Sequence, residues 1–220
     1  MKKTIFMLIG LALLLTAKVY AYSDGDFQIW NTDIEEITLK NNLKLVFEQE
    51  FRWGNDASEY YYQHYEGGLA YALNKNWTIG GGYKQIYQRS AVNKPWLAEE
   101  DPFLFFTYSG EIKGFKFDDR NRFECQHFSY QADNGRYRNR LSIKAPWKFT
   151  KLEIQPYVSD EIFIMISGGQ GLNQNRLSGG FGFSLAKNVR CEVYYMLLSS
   201  MSNNIWKDTG VLGTKVKLTF

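Results

Sequence analysis

Two cysteines and two histidines are all that 220 residues supply. With so few soft ligands, no spacing resembles a zinc site. Cys125 and Cys191 could pair in an oxidising compartment. They read better as small apolar side chains, on non-neighbouring strands with Phe123 and Val193 on the same faces. Long apolar runs are also missing: beyond the first 21 residues none reaches the ~18 of a membrane helix. An excess of charge is absent too. Lys2, Lys3 and Lys18 fall within residues 1–21, which hold no acid, so Lys+Arg beyond them is 26 − 3 = 23 against Asp+Glu of 23. A neutral chain offers no general basic field for nucleic acid. The glycine clusters Gly80-Gly81-Gly82, Gly168-Gly169 and Gly179-Gly180-Phe181-Gly182 contain no Gly-Lys-Ser/Thr and open no helix, which excludes a phosphate cradle. Asp56, Asp101, Asp133 and Asp208 have no calcium-loop spacing. No cofactor or metal is therefore expected.

What is present begins with a secretory signal. Lys2 and Lys3 precede an apolar stretch from Ile5 to Leu15, and Val19-Tyr20-Ala21 offers small-residue cleavage. Residues 1–21 are expected to be removed, leaving one domain over residues 22–220. Aromatic residues make up 17% of the chain, enough for girdles at two membrane interfaces. Val211 to Phe220 alternates, with Leu212, Thr214, Val216, Leu218 and Phe220 on one face and Lys215 and Lys217 on the other. This resembles the closing strand of a bacterial outer-membrane β-barrel. The resemblance implies an outer-membrane location in contact with lipid and lipopolysaccharide. It also implies that Phe220 is the signal read by the barrel-assembly machinery.

Alternating stretches recur along the whole chain, separated by turn residues such as Asn41-Asn42, Asn74-Lys75-Asn76 and Asp133-Asn134-Gly135. Segments of about ten residues are long for a soluble sandwich and suit a membrane strand. The pattern predicts an all-β fold, an antiparallel transmembrane β-barrel of about 10 to 12 strands with short periplasmic turns and longer extracellular loops. About eleven segments can be drawn. An odd count would set the first segment parallel to the last, so residues 26–39 either thread the lumen of a ten-strand barrel or one strand is missed. The smaller number is preferred, because residues 31–36 are polar on both faces. Trp53, Tyr87, Phe106 and Tyr130 are expected near the loops, and Trp77, Phe117, Trp147 and Phe220 near the turns.

Charged residues recur at spacing two: Glu48, Glu50 and Arg52; Arg120, Arg122 and Glu124; Arg138 and Arg140. Glu161 and Arg176 each sit on the polar side of a strand. A central cation facing lipid would cost ~2–4 kcal/mol, so these ten residues must face the lumen and pair there. Glu48, Glu50 and Glu161 are the expected partners of the arginines. The ordered set Glu48-Gln49-Glu50-Phe51-Arg52, Arg120-Asn121-Arg122-Phe123-Glu124, Arg136-Tyr137-Arg138-Asn139-Arg140, Pro156-Tyr157-Val158-Ser159-Asp160-Glu161 and Asn175-Arg176 resembles the bacterial domain-of-unknown-function family 2490. That resemblance spans about Trp30 to Phe220. It implies an outer-membrane-type barrel and brings no catalytic residues with it. The role expected is structural or narrow transport through a charge-filled lumen. A binding barrel acting through its extracellular loops is a further alternative.

The other alternative is an outer-leaflet lipid hydrolase. His127-Phe128-Ser129 resembles the His-x-Ser dyad of lipid A deacylases, in which an oriented imidazole takes the serine proton. Asp101 or Glu100 would be the orienting carboxylate. The expected inward stretch of the next strand, where Asn139 sits, carries none. With that carboxylate missing, the balance of the sequence is against an enzyme.

Overall fold

The computed structural model describes residues 24–167, 171–202 and 204–220. The expected signal peptide lies outside them, as do Gly168 and Gly169. Eleven strands follow one another: β1 (Phe27–Lys40), β2 (Leu43–Gly54), β3 (Glu59–Ala72), β4 (Trp77–Gln88), β5 (Leu97–Ile112), β6 (Phe115–Phe128), β7 (Asn134–Lys144), β8 (Gln155–Met165), β9 (Gly171–Ala186), β10 (Val189–Ser202) and β11 (Ile205–Thr219). Each pairs antiparallel with its sequence neighbours, and β1 pairs parallel with β11 to close the barrel. Closure leaves no strand edge, so no strand presents an unpaired outer ladder.

The barrel thus has eleven strands, and β1 is part of the wall. That corrects the preference for ten strands with residues 26–39 threading the lumen. The polarity that suggested threading is real: Asp33 and Glu35 lie opposite Gln49 and Phe47 on the outer face, while Thr32 and Ile34 lie opposite Glu50 and Glu48 inside. Backbone pairing on both flanks of β1 outweighs the unfavourable outward carboxylates.

Alternation sorts the remaining side chains. Leu69, Leu104, Val158, Leu177 and Val193 are exposed on the outer face, where lipid would cover them. Aromatic residues gather at both rims. Trp53, Tyr60 and Trp96 stack in series near the loops, with centroids 5.4 and 5.5 Å apart. Trp77, Tyr108 and Phe117 do so near the turns, at 4.9 and 5.9 Å. Phe106, expected near the loops, packs on Trp77 and belongs to the turn-side rim.

Short turns join β1 to β2, β3 to β4, β5 to β6 and β9 to β10. The β7–β8 connection is the exception at that end, with a small hairpin closed by Phe149 and Ile154. Asn134 and Gly135 pair within the ladder, opposite Gln126 and Cys125. The β6–β7 turn therefore precedes them, with Asp133 accepting from the Phe128 amide at 3.3 Å. Both cysteines are free thiols.

Candidate functional site

The interior of the barrel is built by period-two alternation on every strand. All ten residues of the expected charge network point into it. The loop-side half is organised around Glu124 on β6, whose side chain has no exposed surface. Glu124 accepts from Arg138 Nη1 at 2.7 Å and Arg136 Nε at 2.5 Å. Arg122 Nε lies 2.8 Å away and Lys84 Nζ 3.5 Å away. Asp101, itself fully buried, takes Lys84 at 3.2 Å and Arg136 at 3.1 Å. Arg122 also donates both terminal nitrogens to Glu66 on β3, at 2.9 and 2.8 Å, spanning the lumen. Fork-to-carboxylate pairing of this kind fixes orientation as well as charge.

Aromatic rings floor the guanidinium groups. Arg122 lies 3.5 Å from the Phe103 centroid. Arg138 and Arg176 lie 4.6 and 4.5 Å from Phe163. Arg52 sits between Trp30 and Tyr62, at 3.6 and 3.8 Å. Phe103 can lie flat because Gly82 faces it: a Cβ there would come within 2.8 Å of the ring. Glycine is thus required where the ring and its arginine pack, as expected for large neighbours over barrel glycines.

Glu161 on β8 joins this cluster to the next, accepting from Arg138 at 2.9 Å and Arg120 at 3.4 Å, with Arg176 at 3.7 Å. Glu48 and Glu50 do not reach the arginines of β6 and β7. Glu50 takes Arg52 at 2.7 Å and Thr32 at 2.8 Å, and Glu48 takes His64 at 3.2 Å. The cross-lumen role expected of them belongs to Glu66, and much of the loop-side acidity comes from Asp101 and Glu99. They lie on β5 at spacing two and face inward, as Glu48 and Glu50 do, and that repeat was the available signal. Lys84 was overlooked because it follows the glycines of β4.

The half toward the short turns is different. Lys44 and Lys217 share Glu36, at 3.1 and 2.6 Å. Lys144 and Lys215 share Glu192, at 4.0 and 3.6 Å. Among the described residues Arg190 donates only to the neutral Gln155, at 3.2 Å. Arg140 makes no hydrogen bond or ion pair among the described residues. A cavity of about 890 Å³ runs along the lumen, lined from Tyr130, Gln131 and Met201 at the loop end to Lys144, Tyr157 and Lys215 at the turn end.

The His-x-Ser pair is not assembled. His127 is on the outer side of β6 and bonds Asp133 at 2.7 Å through Nδ1. That hydrogen bond, aided by the Phe128 amide, holds the Asp133 carboxyl below its usual range. Ser129 Oγ donates to the Ala98 carbonyl at 3.0 Å and accepts from the Ala98 amide at 3.1 Å. Asp101 is locked in the lumen and cannot orient His127. Asn139 faces outward, opposite Asn121, and the inward residues on either side of it are Arg138 and Arg140. Ligand atoms of Glu48, His64 and Glu66 come within 4.8 Å of one another, but Arg122 already holds both oxygens of Glu66.

Comparison with known proteins gives a consistent picture. The family described as "Protein of unknown function (DUF2490)" matches residues 27–207. Among solved structures, the NanC porin is similar at a TM-score of 0.51, with 9% identity over 83% of this chain and 94% of that one. An anion-selective porin from Comamonas acidovorans aligns at a TM-score of 0.40, with 14% identity over 79% of this chain and 56% of the other. At such identities the likeness concerns the fold. No curated protein matches by sequence.

Proposed function

The chain belongs to the DUF2490 family, and from that premise we propose that it is an outer-membrane barrel acting as a narrow, charge-lined conduit for small solutes. The observation that carries this reading is the cavity that lines the lumen from the loop-end residues Tyr130 and Gln131 to Lys144 and Lys215. A barrel this size cannot match the open aqueous channel of ~16-stranded porins. The Glu124–Asp101–Arg136 cluster narrows it further. Export with cleavage after Ala21, and recognition of Phe220 by the assembly machinery, belong to the same proposal. The outward apolar face and its two aromatic rims support a seat in lipid.

Purified full-length protein in planar bilayers is the test. Discrete steps well below those of a wide porin are expected. A bilayer that stays silent at every voltage would leave the barrel with a structural role only. Release of an acyl chain from lipid A that depends on Ser129 would replace the conduit with a hydrolase.

A further inference from the structure

Arg120 and Arg140 face each other across β6 and β7 as direct register partners. Like charges placed opposite on one face of a sheet repel, and such a pair normally has a carboxylate between its members. Here the carboxylate in reach is Glu161, and its Oε1 is already held by Arg138 at 2.9 Å. Arg120 reaches that same oxygen at 3.4 Å, and Arg140, although it is the register partner of Glu161, bonds to nothing among the described residues. Around them, Lys144 and Lys215 share the single Glu192. Asp118 accepts from the Ser109 hydroxyl at 2.6 Å and Glu48 bonds His64; both add negative charge to the lumen, but neither hydrogen-bonds these arginines. Arg140 therefore keeps its guanidinium donors toward the cavity, and Arg120 holds one long bond to Glu161.

The neighbouring wall supplies hydroxyl groups. Ser142, Ser159 and Ser178 are consecutive register partners across β7, β8 and β9. Ser142 is on the same face of β7 as Arg140, and all three serines line the same cavity as the two arginines. Ser178 donates its hydroxyl to the Ser159 carbonyl at 3.3 Å, which leaves Ser142 and Ser159. Two guanidinium forks beside these two hydroxyl donors match the needs of an oxyanion: planar charge-assisted donors, with neutral donors for the remaining lone pairs.

We propose that Arg120 and Arg140, with the hydroxyls of Ser142 and Ser159, form a binding site for the oxyanion of a small solute, a carboxylate or a phosphate. The site gives the lumen a substrate class, and in that respect it rests on the conduit reading. Its own existence does not require that the barrel conduct.

Inorganic phosphate and acetate are the probes. Titration of the full-length protein, folded in detergent, should show saturable binding of at least one of them by calorimetry. The pair of responses tells a phosphate site from a carboxylate site. The R120Q/R140Q double variant should weaken that binding by about tenfold or more, the scale of lost charge-assisted bonds. Arg190→Gln, whose arginine meets only Gln155, should change it less than about twofold. If the double variant does not fold, Arg140→Lys keeps the charge without the fork and should still weaken binding several-fold, about the loss of one such bond. Absence of saturable binding to the parent, or equal binding to parent and variant, overturns the site. In bilayers, the bound anion should reduce current in the parent and not in the variant. Binding without any current sinks the conduit and keeps the site. Current that neither anion affects, with no binding by calorimetry, sinks the site and keeps the conduit.

Discussion

Arg136, Arg138 and Arg140 stand in one inward column of β7, yet the two halves of the lumen treat them differently. Arg136 is shared by Glu124 and Asp101, and Arg138 by Glu124 and Glu161. Arg140 makes no hydrogen bond or close ion pair among the described residues and meets Glu161 and Glu192 only at longer range. Chemistry and spacing along the strand are the same for all three, so the difference comes from the strands across from them. Where β5 and β6 turn acids inward, the lumen holds a buried, paired cluster. Where β9 and β10 bring Ser178 and a shared Glu192, the arginine is left facing the cavity. Buried charges need partners to be tolerated at all, whereas a cation beside an open cavity does not.

The sharpest way to break this contrast is to remove the loop-side hub. Glu124→Ala should cost about 3–5 kcal/mol, because it strands several buried cations at once. Urea unfolding in lipid vesicles reads this directly, and a loss under about 1 kcal/mol would show that water reaches the cluster. Next in size is Glu66→Ala, which frees the Arg122 fork and should cost about 2–4 kcal/mol. Combined with Arg122→Ala it should cost less than the sum of the single changes, since the two residues share one interaction. Strict additivity would mean that the cross-lumen pair is not formed in the membrane. On the turn side, Arg140→Ala should leave stability within about 0.5 kcal/mol or raise it slightly, by relieving repulsion with Arg120. A large loss there would reveal a carboxylate partner and remove the contrast.

The smallest effect concerns the rim. Asp133 is titrated below its usual range by its hydrogen bond from His127. A depressed carboxyl contributes order above its ordinary pKa and loses that contribution as pH falls through the lowered value. Amide-exchange protection in residues 129–133, taken relative to the intrinsic rate at each pH, should therefore fall at acid pH in the parent. The Asp133→Asn variant should show low protection at every pH. A parent profile flat from neutral to strongly acid pH would mean that the pair does not order the turn.

Much of this was legible in the order of residues. Alternation on β2, β6 and β11 identified a barrel wall with charge on its inner face, because the two faces of a strand meet different solvents. The partners of those charges were not legible. Glu66 meets Arg122 from three strands away, a relation set by barrel curvature and register rather than by spacing along the chain. Glu99 and Asp101 were masked by the loop character of the residues before them, notably Pro95. The closure was hidden for a similar reason: polarity on both faces of β1 argued against a wall strand, and only pairing with β11 over Phe27–Glu36 shows where it belongs.

That closure also governs how such a ring can grow. Each hairpin reverses the chain, so neighbours alternate in direction as two colours alternate around a circle. An odd ring cannot be coloured without one matching pair, and here that pair is β1 and β11. Insertion or loss of a hairpin changes the count by two and leaves it odd. The parallel seam therefore survives any change made in whole hairpins. Only a single strand gained or lost would return the ring to full alternation and set its first and last strands antiparallel.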